Sequence, residues 1–165
     1  MFCYQCEETV RGTGCTTRGV CGKDEVLAGL QDVLLYVARG IAHRDLAARE
    51  AGGAGSDEAR HILIDALFMT ITNVNFDPEV FRDEIRRAVA LRDALPPAGP
   101  GAPDAATWTP ASDADVDAKV AEAGVLATGD EDVRSLRWML IYGLKGMAAY
   151  YHHAAVLGFA DDAIE

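Results

Sequence analysis

Apolar residues recur at three-to-four spacing over most of the chain, and the polar residues between them mark where helices begin and end. After Asp24, the residues Val26, Leu27, Leu30, Val33, Leu34, Val37, Ile41 and Leu46 form one wide apolar stripe. Asp24 and Glu25 stand at its start, where acidic side chains suit the positive end of a helix. The stripe predicts a long first helix that stops in AGGAG, Ala51–Gly55, with Gly40 as a weak point in its middle. Ser56, followed by Asp57 and Glu58, predicts a capped second helix reaching about Thr72, with Ile62, Leu63, Ala66, Leu67 and Met69 inward. The segment TNVNFDP then turns the chain. Asp77 is placed to cap a third helix and Pro78 to open it, with Phe81, Ile85, Ala88, Val89 and Leu95 on the buried face. Asn73 and Asn75 are placed to tie the turn's backbone together.

Pro96–Ser112 is rich in Pro and Gly and reads as a loop, with Trp108 as its anchor. A short fourth helix is expected over about Ala114–Ala123, a turn over Gly124–Gly129, and a fifth helix over about Glu131–Leu157 with Gly158 just past its end. On that last helix Leu136, Leu140, Tyr142, Leu144, Met147, Ala148 and Tyr151 cover more than one face. The expected architecture is therefore all-α, a bundle of about five helices in a single domain. Within it, residues 1–23 form an N-terminal loop, 24–95 three helices, 96–112 the Pro/Gly loop and 113–165 two helices.

Composition narrows the picture. At 165 residues the chain can bury a sizeable core, and 50% apolar with 7% aromatic residues suits helices better than strands. A net charge of −11 argues against nucleic acid and anionic membranes as partners. No apolar run approaches the ~18 residues of a membrane span. Met1 leads straight into cysteines with no apolar leader, so the expected location is cytoplasmic.

The candidate chemistry lies in the first 22 residues. Cys3, Cys6, Cys15 and Cys21, spaced C-x2-C-x8-C-x5-C, are the four cysteines of the sequence. Four thiolates can hold one iron–sulfur cluster. A C-x2-C pair offers two thiolates from one tight turn, and the longer gaps let the chain wrap the far side. Gly12, Gly14, Gly19 and Gly22 fall among them and would let the backbone pass close to an inorganic core. Arg11, Arg18 and Lys23 could offset the charge of a thiolate-bound centre, while Glu7 and Glu8 are expected to face water. Structural zinc uses the same ligand type, though usually as two close C-x2-4-C pairs. Two disulfides are a third reading, disfavoured in a cytosolic setting.

The opening stretch, MFCYQCEETVRGTGCTTRGVCGKDEVLAGLQDVLLY, resembles the N-terminus of the hybrid cluster proteins, also called prismane proteins or hydroxylamine reductases. TITNVNFDPEV at Thr70–Val80, AVALRDAL at Ala88–Leu95 and LIYGLKGMAAYYHHAAVLGF at Leu140–Phe159 continue the likeness through that family's first domain. The resemblance implies that Cys3, Cys6, Cys15 and Cys21 bind one [4Fe-4S] cluster per chain near the surface, in a short form of the family. It also implies that the activity of the longer members does not carry over. Their catalytic hybrid cluster uses further cysteines, a histidine and glutamates from later domains, and no cysteine follows Cys21 here.

The functional expectation is a small iron–sulfur protein that transfers single electrons, with no catalytic residue of its own. The alternatives are a redox, oxygen or nitric oxide sensor, a cluster carrier, and a zinc-stapled helical interaction module. The apolar breadth of the fifth helix adds the expectation of a homodimer. His152 and His153, near that helix's C-terminus, read as partners of its dipole, His43 and His61 as ordinary, and Lys145 as exposed or paired.

Overall fold

The computed structural model describes residues 1–161, 163 and 164. It contains five α-helices, α1 Glu25–Glu50, α2 Asp57–Met69, α3 Pro78–Ala94, α4 Asp113–Ala123 and α5 Glu131–Val156, joined by short 3-10 turns at Val10–Gly12, Asp104–Ala106 and Val125–Ala127. Among the described residues the only β pairing is an isolated antiparallel bridge between Cys3 and Cys15. The all-α expectation holds.

Helix starts follow the capping chemistry. Asp24, Ser56, Asp77, Ser112 and Asp130 each accept a hydrogen bond from a backbone N–H in the first turn that follows. Ser112 and Asp115 complete a reciprocal capping box. Asn75 Oδ1 accepts from Asp77 N at 2.8 Å, which ties the turn before α3, and Asn73 sits at a φ of 67°. Helix α2 stops short of Thr72. The Thr70 hydroxyl donates back to Ala66 O at 2.8 Å and Leu67 O at 3.0 Å, closing the last turn.

Helix α1 is the centre of the molecule. It packs against α3, α4, the Asp104–Ala106 turn and α2; α2 also touches α3 and carries α5. Leu30, Val33, Leu34, Val37 and Ile41 are fully buried against Ile62, Phe81 and Ile85. Val26 and Leu46, assigned above to the same stripe, are exposed: Val26 stands in the first turn of α1, and Leu46 lines an open groove with residues of α2 and α5.

The Pro/Gly segment is more ordered than expected. Its Asp104–Ala106 turn is buried against α1, and Gly40 is where it passes: a Cβ at Gly40 would stand 1.9 Å from Ala105 O. What reads locally as a weak helix position is a close approach that only glycine allows. Arg44 and Arg92, both buried, hold the segment through Ala106 O at 2.8 Å and Ala105 O at 3.1 Å. Trp108 packs edge-on to Tyr36 and anchors the far end as expected. Among the described residues no helix is long and apolar enough to cross a membrane.

Candidate metal centre

The N-terminal loop folds back on itself before α1 begins. Cys3 N donates to Cys15 O at 3.0 Å and Cys15 N to Cys3 O at 2.8 Å, so the first and third cysteines stand side by side. The Thr9 hydroxyl donates to Cys3 O at 3.1 Å and lies 3.7 Å from Cys15 Sγ. Cys21 is held in a second turn, in which Gly19 N donates to Lys23 O at 2.7 Å and Gly22 N to Gly19 O at 2.9 Å. A Cβ at Gly19 would come within 2.9 Å of Cys21 Sγ, so the glycine makes room for that sulfur. Gly12, Gly14 and Gly22 take positive φ as expected; Gly19 does not, and Arg11 does, at 55°.

All four thiols are free. Cys15 is buried and the other three are half-buried. Backbone N–H groups of Val10 and Val20 hold the Cys15 thiol below its ordinary range, with help from Thr9 and Lys23 and against the effect of burial. Among the described residues no three His, Cys, Asp or Glu side chains gather around one point that could hold a single metal ion. The four thiols share one loop rather than one point. Free sulfurs, N–H donors aimed at one of them and a thiolate-favouring environment fit a thiolate-ligated group. Glu7 and Glu8 face water.

Beneath the loop is a small chamber of about 20 Å³, where Cys3, Gln5, Lys23, Gln31, Asp32 and Lys145 meet apolar walls that include Phe2 and Trp138. That volume is about one water molecule. Of the two expectations for Lys145, exposed or paired, the structure shows the second: the side chain is buried and hydrogen-bonded. Its ammonium donates to Gln5 Oε1 at 3.1 Å and Thr70 O at 2.9 Å. It therefore ties α5 and the end of α2 to Gln5, one of the two residues between Cys3 and Cys6. Lys23 is buried too and donates to Gln31 Oε1 at 2.5 Å. Gln31 Nε2 is buried without a hydrogen-bond partner. Burial pushes the Asp32 carboxyl up to about 7, against the pull of Lys145, Lys23, Arg39 and the N-terminal ammonium. Burial pushes the Lys145 ammonium down to about 7, reinforced by Lys23 and opposed by Asp32 and Cys3.

An aromatic group closes the side of the chamber. Phe2 packs on Tyr4 at 5.2 Å between ring centroids, Tyr4 on Tyr142 at 5.9 Å and Tyr142 on Trp138 at 5.7 Å. Burial lifts the phenols of Tyr4 and Tyr142.

Residues 1–165 match the Prismane/CO dehydrogenase family. The chain belongs to that family. It is 52% identical over 172 residues to a hydroxylamine reductase of Desulfitobacterium hafniense, an alignment that covers 99% of this chain and 31% of the relative. It is 49% identical over 173 residues to a hydroxylamine reductase of Caldanaerobacter subterraneus, with the same two shares. A hydroxylamine reductase of Acetivibrio thermocellus is 46% identical over 166 residues, covering 99% of this chain and 30% of the relative. The chain thus spans about a third of the length of the curated relatives it matches.

In this Prismane-family chain two of the histidines find partners on α2. His152 stacks on Phe68 at 4.3 Å, with Nδ1 3.2 Å from Asp65 Oδ1, and His61 Nδ1 lies 2.7 Å from Asp57 O. The residues that the sequence reading missed are Gln5, Gln31, Asp32 and Thr70, together with the buried state of Lys23 and Lys145. Gln5 alone carried a local signal, its place inside the C-x2-C pair.

Proposed function

We propose that this chain holds one [4Fe-4S] cluster on Cys3, Cys6, Cys15 and Cys21 and passes single electrons through it. The observation that carries the reading is the loop itself: four free thiols on one glycine-bearing fold, cross-tied by the Cys3–Cys15 bridge and with N–H donors on Cys15. When bound, such a cluster supplies a one-electron redox couple whose potential follows charge, hydrogen bonds to sulfur and exposure. The chain's own part is to hold and shield. Cys15 is buried while Cys3, Cys6 and Cys21 stay half-exposed, which leaves a short path to a partner at the surface. Val10 and Val20 N–H groups stabilise charge on Cys15, and the aromatic group around Tyr4 and Tyr142 limits water on the inner side.

All four cysteines lie in the loop, so these 165 residues offer one four-thiolate site. Hydroxylamine reduction is the activity named for relatives of three times the length, and the proposal for this chain is electron transfer alone. A redox, oxygen or nitric oxide sensor, a cluster carrier and a zinc-stapled interaction module are the other readings. Iron and acid-labile sulfide in anaerobically purified protein, with absorbance and reduced-state EPR, test them together. About four iron and four sulfide per chain with reversible bleaching fit the proposal. One zinc without sulfide overturns it, and cluster loss on each redox cycle favours the sensor.

The assembly we propose is a homodimer in which a second copy covers α5. Leu136, Met139, Leu140 and Met147 are exposed along it, and Gly143 and Gly146 near its midpoint have no atom within 4 Å of where a Cβ would stand. Two such helices can approach closely where a two-fold axis would cross them. A monomeric mass by light scattering across concentrations excludes this assembly.

A further inference from the structure

Two lysines are buried under the loop, and the chamber's own carboxylates do not match them. Lys23 is 2% exposed and Lys145 4% exposed. The oxygens that receive their protons, Gln31 Oε1, Gln5 Oε1 and Thr70 O, are all neutral. Asp32 is the one carboxyl among the chamber's lining residues, and burial draws it toward its neutral form. A buried ammonium without a matching anion is unfavourable. Besides Asp32, the groups at hand that can supply negative charge are the thiols of the loop. Cys3 lines the same chamber and acts electrostatically on Lys145, and Lys23 acts on Cys15.

We infer that Lys145, with Lys23 beside it, is a built-in counter-charge for an anionic thiolate-bound centre on the loop. Lys145 is a positioning residue. It steers the Cys3–Cys6 arm through Gln5, and its charge is unmatched in the metal-free protein and matched in the loaded one. The inference rests on the loop being the metal centre proposed above, and it goes further in assigning the residues that set the centre's affinity and potential from below.

A lysine kept only for packing would act alike in the empty and loaded protein, whereas a counter-charge acts with opposite sign in the two. The test compares the full chain with Lys145→Met, which keeps the length of the side chain, and Lys145→Arg, which keeps the charge. Three quantities are read: urea stability of the metal-free protein at pH 6, the rate of metal loss to a chelator, and the midpoint potential. Lys145→Met is expected to leave the metal-free protein as stable or more so. It should also speed metal loss roughly tenfold, the scale of one charge acting through a partly screened interior. Weakening the reduced form tenfold more than the oxidised form lowers the potential by about 60 mV. Lys145→Arg should restore both.

Equal destabilisation of both forms overturns the inference, as does an unchanged loss rate and potential. If the natural chain takes up zinc and no sulfide, the electron-transfer reading fails by itself. The counter-charge is then judged on the ratio of zinc-loss rates, because four thiolates leave an anionic centre with either metal.

Discussion

Helices α1 and α5 have the same length, 26 residues, and opposite fates. In α1, 15 residues are buried; in α5, four are, Trp138, Lys145, Ala148 and Tyr151. Both are rich in Leu, Ala and Gly, so composition does not separate them. What separates them is the number of neighbours. Helix α1 is enclosed by α2, α3, α4 and the Asp104–Ala106 turn, while α5 rests on α2 and the Val125–Ala127 turn and reaches the loop through Lys145. The core that holds the fold is built around α1. Helix α5 contributes a few inward residues that support the loop and leaves Leu136, Met139 and Leu140 in water.

Glycine-to-alanine exchange should show the largest contrast. Gly40→Ala in α1 drives a methyl into Ala105 O and is expected to cost about 3 kcal/mol or more in urea unfolding. Gly143→Ala in α5 meets open space in the single chain and should gain about 1 kcal/mol from helix propensity at concentrations where the protein is monomeric. Equal effects at the two sites would break the comparison.

Next in size are truncations of leucine. Leu34 is wholly buried, and Leu34→Ala is expected to cost roughly 2–5 kcal/mol. Leu140 is 65% exposed, and Leu140→Ala should fall within about 0.5 kcal/mol of the natural chain at concentrations where it is monomeric.

The smallest effect sharpens the comparison at the point where the two helices meet, since Asp32 belongs to α1 and Lys145 to α5. Asp32 titrates near 7 when folded, above its ordinary 3.8, so the folded protein keeps a proton that the unfolded chain releases. Its effect is fully favourable at low pH and is lost as pH rises toward 7. Lys145 titrates near 7 when folded, below its ordinary 10.5, so between these values the unfolded chain keeps a proton that the folded protein has lost. Stability from this group therefore rises as pH climbs from 7 to 10.5. Together they place a minimum near pH 7 in the stability of the metal-free protein, with arms no steeper than about 1.4 kcal/mol per pH unit per group. Urea unfolding between pH 5 and 9 checks it. Asp32→Asn should flatten the acid arm and Lys145→Met the alkaline arm. A profile without a minimum would remove both groups from the account.

Much of this was legible in the chain because it is local. Asp24, Ser56, Asp77 and Pro78 announce helix starts through their own side-chain chemistry, and the four cysteines in 19 positions single out the loop in which Cys3 and Cys15 pair. The unread part is what distant segments do to one another. Gly40 looks like a flaw in α1 until the turn 65 residues later is laid against it. Lys145 looks like a surface lysine because its neighbours in sequence are ordinary helix residues; its burial is set by Gln5 and Thr70, which no local pattern connects to it. Leu136 and Leu140 are apolar enough for a core, and their exposure follows from which neighbours α5 has. Asp32 and Gln31 sit within the long buried run of α1, where a polar pair gives no sign of facing a chamber.

The two tryptophans stand in different parts of the molecule. Trp108 packs in the large cluster around α1, and Trp138 in the smaller one with Phe2, Tyr4 and Tyr142 beneath the loop. The chain therefore carries two optical reporters of separate events. Emission from Trp138 would respond to a light-absorbing centre of the kind proposed for the cysteines, and emission from Trp108 follows the integrity of the helical core. Comparing Trp108→Phe and Trp138→Phe proteins in a single fluorimeter separates changes near the loop from changes in the bundle.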